Sequence, residues 1–234
     1  MLKECAAPAA SADRSAKFHR DLANGLHAMA QPLTMLRAAV EVLGLPPSAG
    51  VDRQRYLEIS AGAVERTCNV FANVQDLLTA SVTDAQHVRF DLWEAIAPRI
   101  DDNRRLLQAS GITIAAAANP AWRPVVGDAG RTEQAVAVLL QIAGDLASKG
   151  DVIELSGSAV GGFLQLRLEN SNRRSKRVDS TVRLGLALAE ANIVSQHGSY
   201  EFSEDPFRVS LALPLEGGGE WAVGCVNHSE AHLG

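Results

Sequence analysis

His27 stands five residues before Pro32-Leu33-Thr34, and it is the side chain in this sequence best suited to covalent chemistry. A neutral imidazole is nucleophilic near pH 7 and can carry a transferred group on nitrogen. If the segment is helical, His27, Gln31 and Thr34 fall at i, i+4 and i+7, one above another on a single stripe. His19, in Phe18-His19-Arg20-Asp21, is the rival nucleophile, with an acid two residues on but no downstream proline. Cys225-x-x-His228-x-x-x-His232 has three zinc-type ligands, yet it lies in a polar, Gly-led terminus that reads as an ordinary tail.

The elements that must position His27 are legible in the spacing of apolar residues. Phe18, Leu22, Leu26, Met29, Leu33, Leu36, Val40 and Leu43 follow one another at intervals of three or four, the mark of a bundle seam. Gly44-Leu45-Pro46-Pro47-Ser48-Ala49-Gly50 ends that helix. A second helix is expected from about Asp52 to Leu78, with Tyr56, Ile59, Ala63, Val70, Val74 and Leu77 as its stripe. Two helices joined by a short loop make an antiparallel hairpin, and burying both stripes calls for a dimeric four-helix bundle.

From Val88 onward the pattern changes. Strands are expected at Val88–Phe90, Ile112–Ala115, Asp151–Leu155, Phe163–Leu168, Tyr200–Phe202 and Arg208–Leu213, with helices at 92–108, 129–148 and 182–197. Gly161-Gly162 marks a hairpin turn. The fold class is therefore α+β: a helical hairpin, then an α/β sandwich of mixed sheet with helices on one face. The expected divisions are a tail at 1–14, the hairpin at 15–84, the α/β domain at 85–216 and a tail at 217–234.

His27 with Pro32-Leu33-Thr34 resembles the phospho-acceptor box of the sensor histidine kinases, His-Glu-x-x-x-Pro-Leu-Thr. The resemblance implies that His27 is a phospho-acceptor and that receiver domains of response regulators are partners, together with a hybrid histidine kinase. It makes Gln31 a phosphatase-type residue, at a position where related kinases orient a hydrolytic water. One departure matters: Ala28 replaces the acid that polarises the imidazole for attack on ATP. Loss of a positioned general base costs roughly 10²–10⁴ in rate. An aspartyl phosphate is a more reactive donor and needs less help.

The 85–215 segment resembles the ATP-binding domain of the same family, with its boxes degraded. Asp128-x-x-Arg131-x-x-Gln134 resembles the entrance to the Asn-box helix, and Val138-Leu139-Leu140-Gln141-Ile142-Ala143 overlays Asn-Leu-Leu-x-Asn-Ala. That puts Ile142 at the magnesium ligand, where hydrocarbon cannot serve a hard cation. A shifted register offers Gln141 and Asp145 instead. Asn170 falls at the adenine-reading aspartate, Asn172 and Arg174 fall at glycines, and only Gly185 survives of the phosphate-cradling set near Arg183. Arg173, Arg174, Lys176, Arg177 and Arg183 form a basic run at a short lid, best read as a solvated charged loop.

Composition narrows the rest. The 234 residues are 47% hydrophobic and carry a net charge of -5, without the basic field that nucleic acid requires. No apolar run nears the roughly 20 residues of a membrane span. Cys5, Cys68 and Cys225 have no redox or metal spacing, and the N-terminus does not read as a signal peptide, so a reduced, cytoplasmic setting is expected. The reading is a homodimeric histidine phosphotransferase that passes phosphate between receiver aspartates through His27. No metal site and no ATP or magnesium cofactor are expected. The alternatives are a divergent active kinase and a non-catalytic pseudokinase scaffold for response regulators.

Overall fold

A computed structural model describes residues 7–46, 50, 52–117, 124–171 and 178–216, with side chains from residue 16 onward. Two long helices, α1 (Ala7–Leu43) and α2 (Arg53–Val82), form the hairpin. α1 starts inside the stretch expected to be a tail, ahead of the first seam residue, Phe18. Pro32 lies within α1 and is buried.

The remaining elements are β1 (Val88–Phe90), α3 (Leu92–Gln108), β2 (Thr113–Ala116), β3 (Val125–Gly127), α4 (Ala129–Leu146), β4 (Val152–Val160), β5 (Phe163–Asn170), α5 (Ser180–Val194), β6 (Ser199–Ser203) and β7 (Arg208–Pro214). Aspartates open four of the helices. Asp52, Asp91, Asp128 and Asp179 each accept a hydrogen bond from the backbone N–H three residues on, satisfying a donor that the first turn leaves free.

The main sheet runs β2-β4-β5-β7-β6. β2 and β4 are parallel and the other pairings antiparallel, so the sheet is mixed. At the β4–β5 turn, Gly161 and Gly162 have φ of 59° and 83°, the left-handed pair that a tight hairpin with native twist needs. Val125–Gly127, outside the strands expected from sequence, is a strand paired with β1. The core beneath α3, α4 and α5 joins Ile96, Ile100, Leu139, Leu140, Ile153 and Leu164, all nearly inaccessible.

The hairpin seam corrects a detail of the sequence reading. The face of α1 turned toward α2 carries small residues, Gly25, Ala28, Pro32 and Ala39, all buried. Gly25 lies against Val74, and Ala28 shares a cluster with Val70, Val74 and Leu77, part of the stripe expected for α2. Leu26, Leu33 and Val40 lie at seven-residue spacing on the other side of the seam and are 59%, 45% and 56% exposed. α2 has a matching exposed row, Leu57, Val64, Phe71 and Leu78.

The α/β domain rests on this hairpin through α5. A second apolar cluster joins Ala28 of α1, Val70, Val74 and Leu77 of α2, and Leu184 and Leu188 of α5.

Candidate functional site

His27 projects from the middle of α1 into solvent, and no hydrogen bond or ion pair holds its ring among the described residues. Around it on the same face, Arg20, Ala23, Ala30, Gln31 and Thr34 are also exposed. The alanines leave the imidazole standing above a low surface that a bulky partner can approach closely. Thr34 turns its hydroxyl inward to its own helix, donating to Ala30 O at 2.8 Å. It shapes the surface and presents no free donor. His19 is exposed as well, with its ring edge against Phe18 at 5.9 Å between centroids.

Ala28, next to the acceptor, is only 2% exposed and faces away from His27 into the cluster under α5. An acid at 28 would enter that cluster, where an ionised carboxylate has no partner and is costly to bury. Below this level a cleft of about 480 Å³ separates the hairpin from the ends of α4 and α5. Gln31 reaches it from α1, Asn69 and Asn73 from α2, Gln141 and Asp145 from α4, and Thr181 from α5. The structure thus brings Gln31 together with Gln141 and Asp145. Asn69 and Asn73 escaped the sequence reading; their i, i+4 spacing on a helix was the available signal.

The residues that the resemblance assigns to nucleotide are engaged in packing. Ile142 is 5% exposed, and a Cβ at Gly185 would stand 2.8 Å from Ile142 Cδ1 and 3.1 Å from Val138 Cγ1. The surviving glycine therefore lets α4 and α5 approach each other. Asn170 is 3% exposed at the end of β5, its N–H donating to Phe207 O at 3.2 Å. Ile142 has no oxygen to offer a hard cation, and its side chain covers Gly185. Arg183 is exposed. Asn172, Arg173, Arg174, Lys176, Arg177, Cys225, His228 and His232 lie outside the described residues. Among the described residues, no group of three or more His, Cys, Asp or Glu side chains could hold a metal ion.

Two residues that the resemblance places at the entrance to the Asn-box helix, at the start of α4, tie elements together. Arg131 donates from Nη2 to Thr83 O at 2.7 Å and Thr83 Oγ1 at 2.6 Å, and from Nη1 to Ala80 O at 3.2 Å and Ser195 Oγ at 2.7 Å. It ties the end of α2 to the end of α5. Gln134 donates to Asp76 Oδ2 at 2.6 Å and accepts from Asn192 Nδ2 at 2.9 Å, linking α2 to α5 through α4. At the opposite end of the interface Lys17 pairs with Glu190. Beside that pair, burial pushes the Asp21 carboxyl above the usual aspartate range, with Lys17 opposing the shift and Glu190 adding to it.

This hairpin and sandwich arrangement is the fold of the histidine kinases. The histidine kinase AdeS of Acinetobacter baumannii superposes with a TM-score of 0.62 at 17% identity, covering 81% of this chain and 98% of that one. Histidine kinase ThkA, solved in complex with response regulator protein TrrA, superposes at 0.66 with 15% identity, covering 86% of this chain and 63% of ThkA. No protein-family model and no curated protein sequence matches the chain. No helix among the described residues is long and apolar enough to cross a membrane.

Proposed function

We propose that this protein of two-component type acts as a histidine phosphotransferase, relaying phosphate between receiver aspartates through His27 without using ATP. The observation that carries the reading is a contrast within one chain. His27 is exposed and unencumbered, while Ile142 is packed onto Gly185 where a nucleotide and its cation would have to sit. In the forward step the neutral imidazole nitrogen attacks phosphorus of an aspartyl phosphate. The N–P bond forms as the P–O bond breaks, and the electron pair leaves on the aspartate carboxylate. The reverse step loads a second receiver. Gln31, one helical turn on, is the residue to orient a water when phosphate is discharged instead.

The partner is a receiver domain seated over His27, Gln31, Thr34 and the lower part of α2, with a hybrid kinase upstream. ThkA, of the same fold, was solved with a response regulator. A homodimer, completed through the exposed rows of Leu26, Leu33 and Val40 and of Leu57, Val64, Phe71 and Leu78, covers these seven apolar side chains of each chain only if both helices take part. The hairpin at 15–84 is the phosphotransfer unit, the α/β domain at 85–216 its nucleotide-free companion, and the cytoplasm its setting.

One observation favours a second reading, a divergent active kinase. Gln141 and Asp145 both line the cleft below Gln31 and carry oxygen ligands, and the likeness to kinases suits this reading equally. Incubation with labelled ATP and magnesium separates the two. Label on His27 from ATP establishes the kinase; label only from a phosphorylated receiver establishes the relay.

A further inference from the structure

We infer that the acceptor box of this chain has been rebuilt as a socket for α5, so that the α/β domain is a fixed brace on the hairpin rather than a mobile unit. The inference is independent of whether phosphate passes through His27. Gly25 and Ala28 are the socket. A Cβ at Gly25 would stand 2.7 Å from Val74 Cγ2, closer than real side chains come, and 3.1 Å from Leu184 Cδ1, tighter than most real contacts. Ala28, one helical turn on, shares a cluster with Leu184 and Leu188, which are both 0% exposed and lie at i and i+4 on α5. Two small residues on α1 thus receive two leucines from α5. Lys17 pairs with Glu190 and Gly25 meets Leu184, so α5 runs antiparallel to α1 along the acceptor segment.

The socket is backed by polar ties that a sliding interface would lack. Arg131, whose side chain is 11% exposed, makes four hydrogen bonds to Ala80, Thr83 and Ser195. Gln134 uses its amide nitrogen on Asp76 and its amide oxygen on Asn192, which is itself 1% exposed. Parting α5 from the hairpin, with α4 beside it, would leave Leu184 and Leu188 bare and break the bonds from Arg131 to Ala80 and Thr83 and from Gln134 to Asp76 together. The alanine at 28 is then a packing requirement as well as a missing acid.

Cross-linking in the full chain tests this. In a background with Cys5→Ser, Cys68→Ser and Cys225→Ser, the pair Lys17→Cys and Glu190→Cys is treated with a short bis-maleimide, and the within-chain product is scored by peptide mapping. The brace predicts near-complete linkage. Adding Ala28→Glu should slow linkage about tenfold or more, because a carboxylate cannot stay in the apolar socket. Ala30→Glu, the same charge on an exposed position of α1, should leave it unchanged. Poor linkage in the starting pair, or equal linkage with Ala28→Glu, would overturn the inference. Should Ala28→Glu lose its helical circular dichroism, Arg131→Ala decides: slower linkage supports the brace and an unchanged rate rejects it.

Discussion

Ile142 covers Gly185, and the two residues lock α4 to α5: a Cβ on the glycine would meet Ile142 Cδ1 at 2.8 Å. The contact lies between two positions that the resemblance to kinases assigns to cation and phosphate. Gly185→Ala should therefore act as an overpacking mutation and lower stability by about 1–3 kcal/mol. Ile142→Ala in the same chain should return part of that loss. Urea unfolding of the two single variants and the double variant measures the coupling, and strictly additive effects would mean the contact carries no weight.

Nucleotide binding is expected to be weak or absent. Calorimetric titration with ATP and magnesium should show no saturable heat in the micromolar range. Ile142→Asn should lose stability without gaining affinity, because Gly185 and its neighbours still close the space. Micromolar affinity in the unaltered protein would move the kinase reading to first place.

Dimerisation should depend on the exposed rows of both helices. Leu33→Glu in α1 and Phe71→Glu in α2 sit on surfaces that are 45% and 50% exposed in the single chain, so neither variant should unfold the hairpin. Each should give monomers in sedimentation velocity experiments. A dimer unchanged by both substitutions would place the interface elsewhere.

Much of this architecture is legible in sequence because it rests on periodicity and turn chemistry. The stripe of Ala63, Val70, Val74 and Leu77, the Gly161-Gly162 turn and the alternation of β4 and β5 are local signals. The second row on α2, with Phe71 at its centre, was not read, because a helix whose two faces are both apolar hides one stripe behind the other. Ala28 showed as a lost acid; that it packs under Leu184 and Leu188 depends on α5, more than 150 positions away in the chain, and no local pattern contains that. The ties that Arg131 and Gln134 make are hidden for the same reason, since their partners Asp76 and Thr83 come from α2 and its end and Asn192 from α5.

The Asp21 carboxyl, raised mainly by burial, gives the interface a pH dependence of definite sign. A carboxyl whose folded-state pKa exceeds its unfolded value favours folding most when protonated, and that contribution is lost as pH rises through the folded value. Asp21→Asn, which keeps the shape and removes the charge, should therefore raise the melting temperature at neutral pH. The gain should fade as pH drops into the range where aspartate itself takes up a proton. Thermal scans across that range check it; a gain that grows toward acid would give the opposite sign.

The most direct test of the account is transfer from a phosphorylated receiver to the chain, with label located by residue. The account predicts label on His27, none in His27→Ala with its helical content and oligomeric state intact, and nearly full label in His19→Ala. The exposed position of His27 makes a folding defect in that variant unexpected, because truncation opens no buried cavity. Label that persists in His27→Ala and disappears in His19→Ala would contradict the assignment, and acceptance by neither histidine would leave a scaffold in place of a relay.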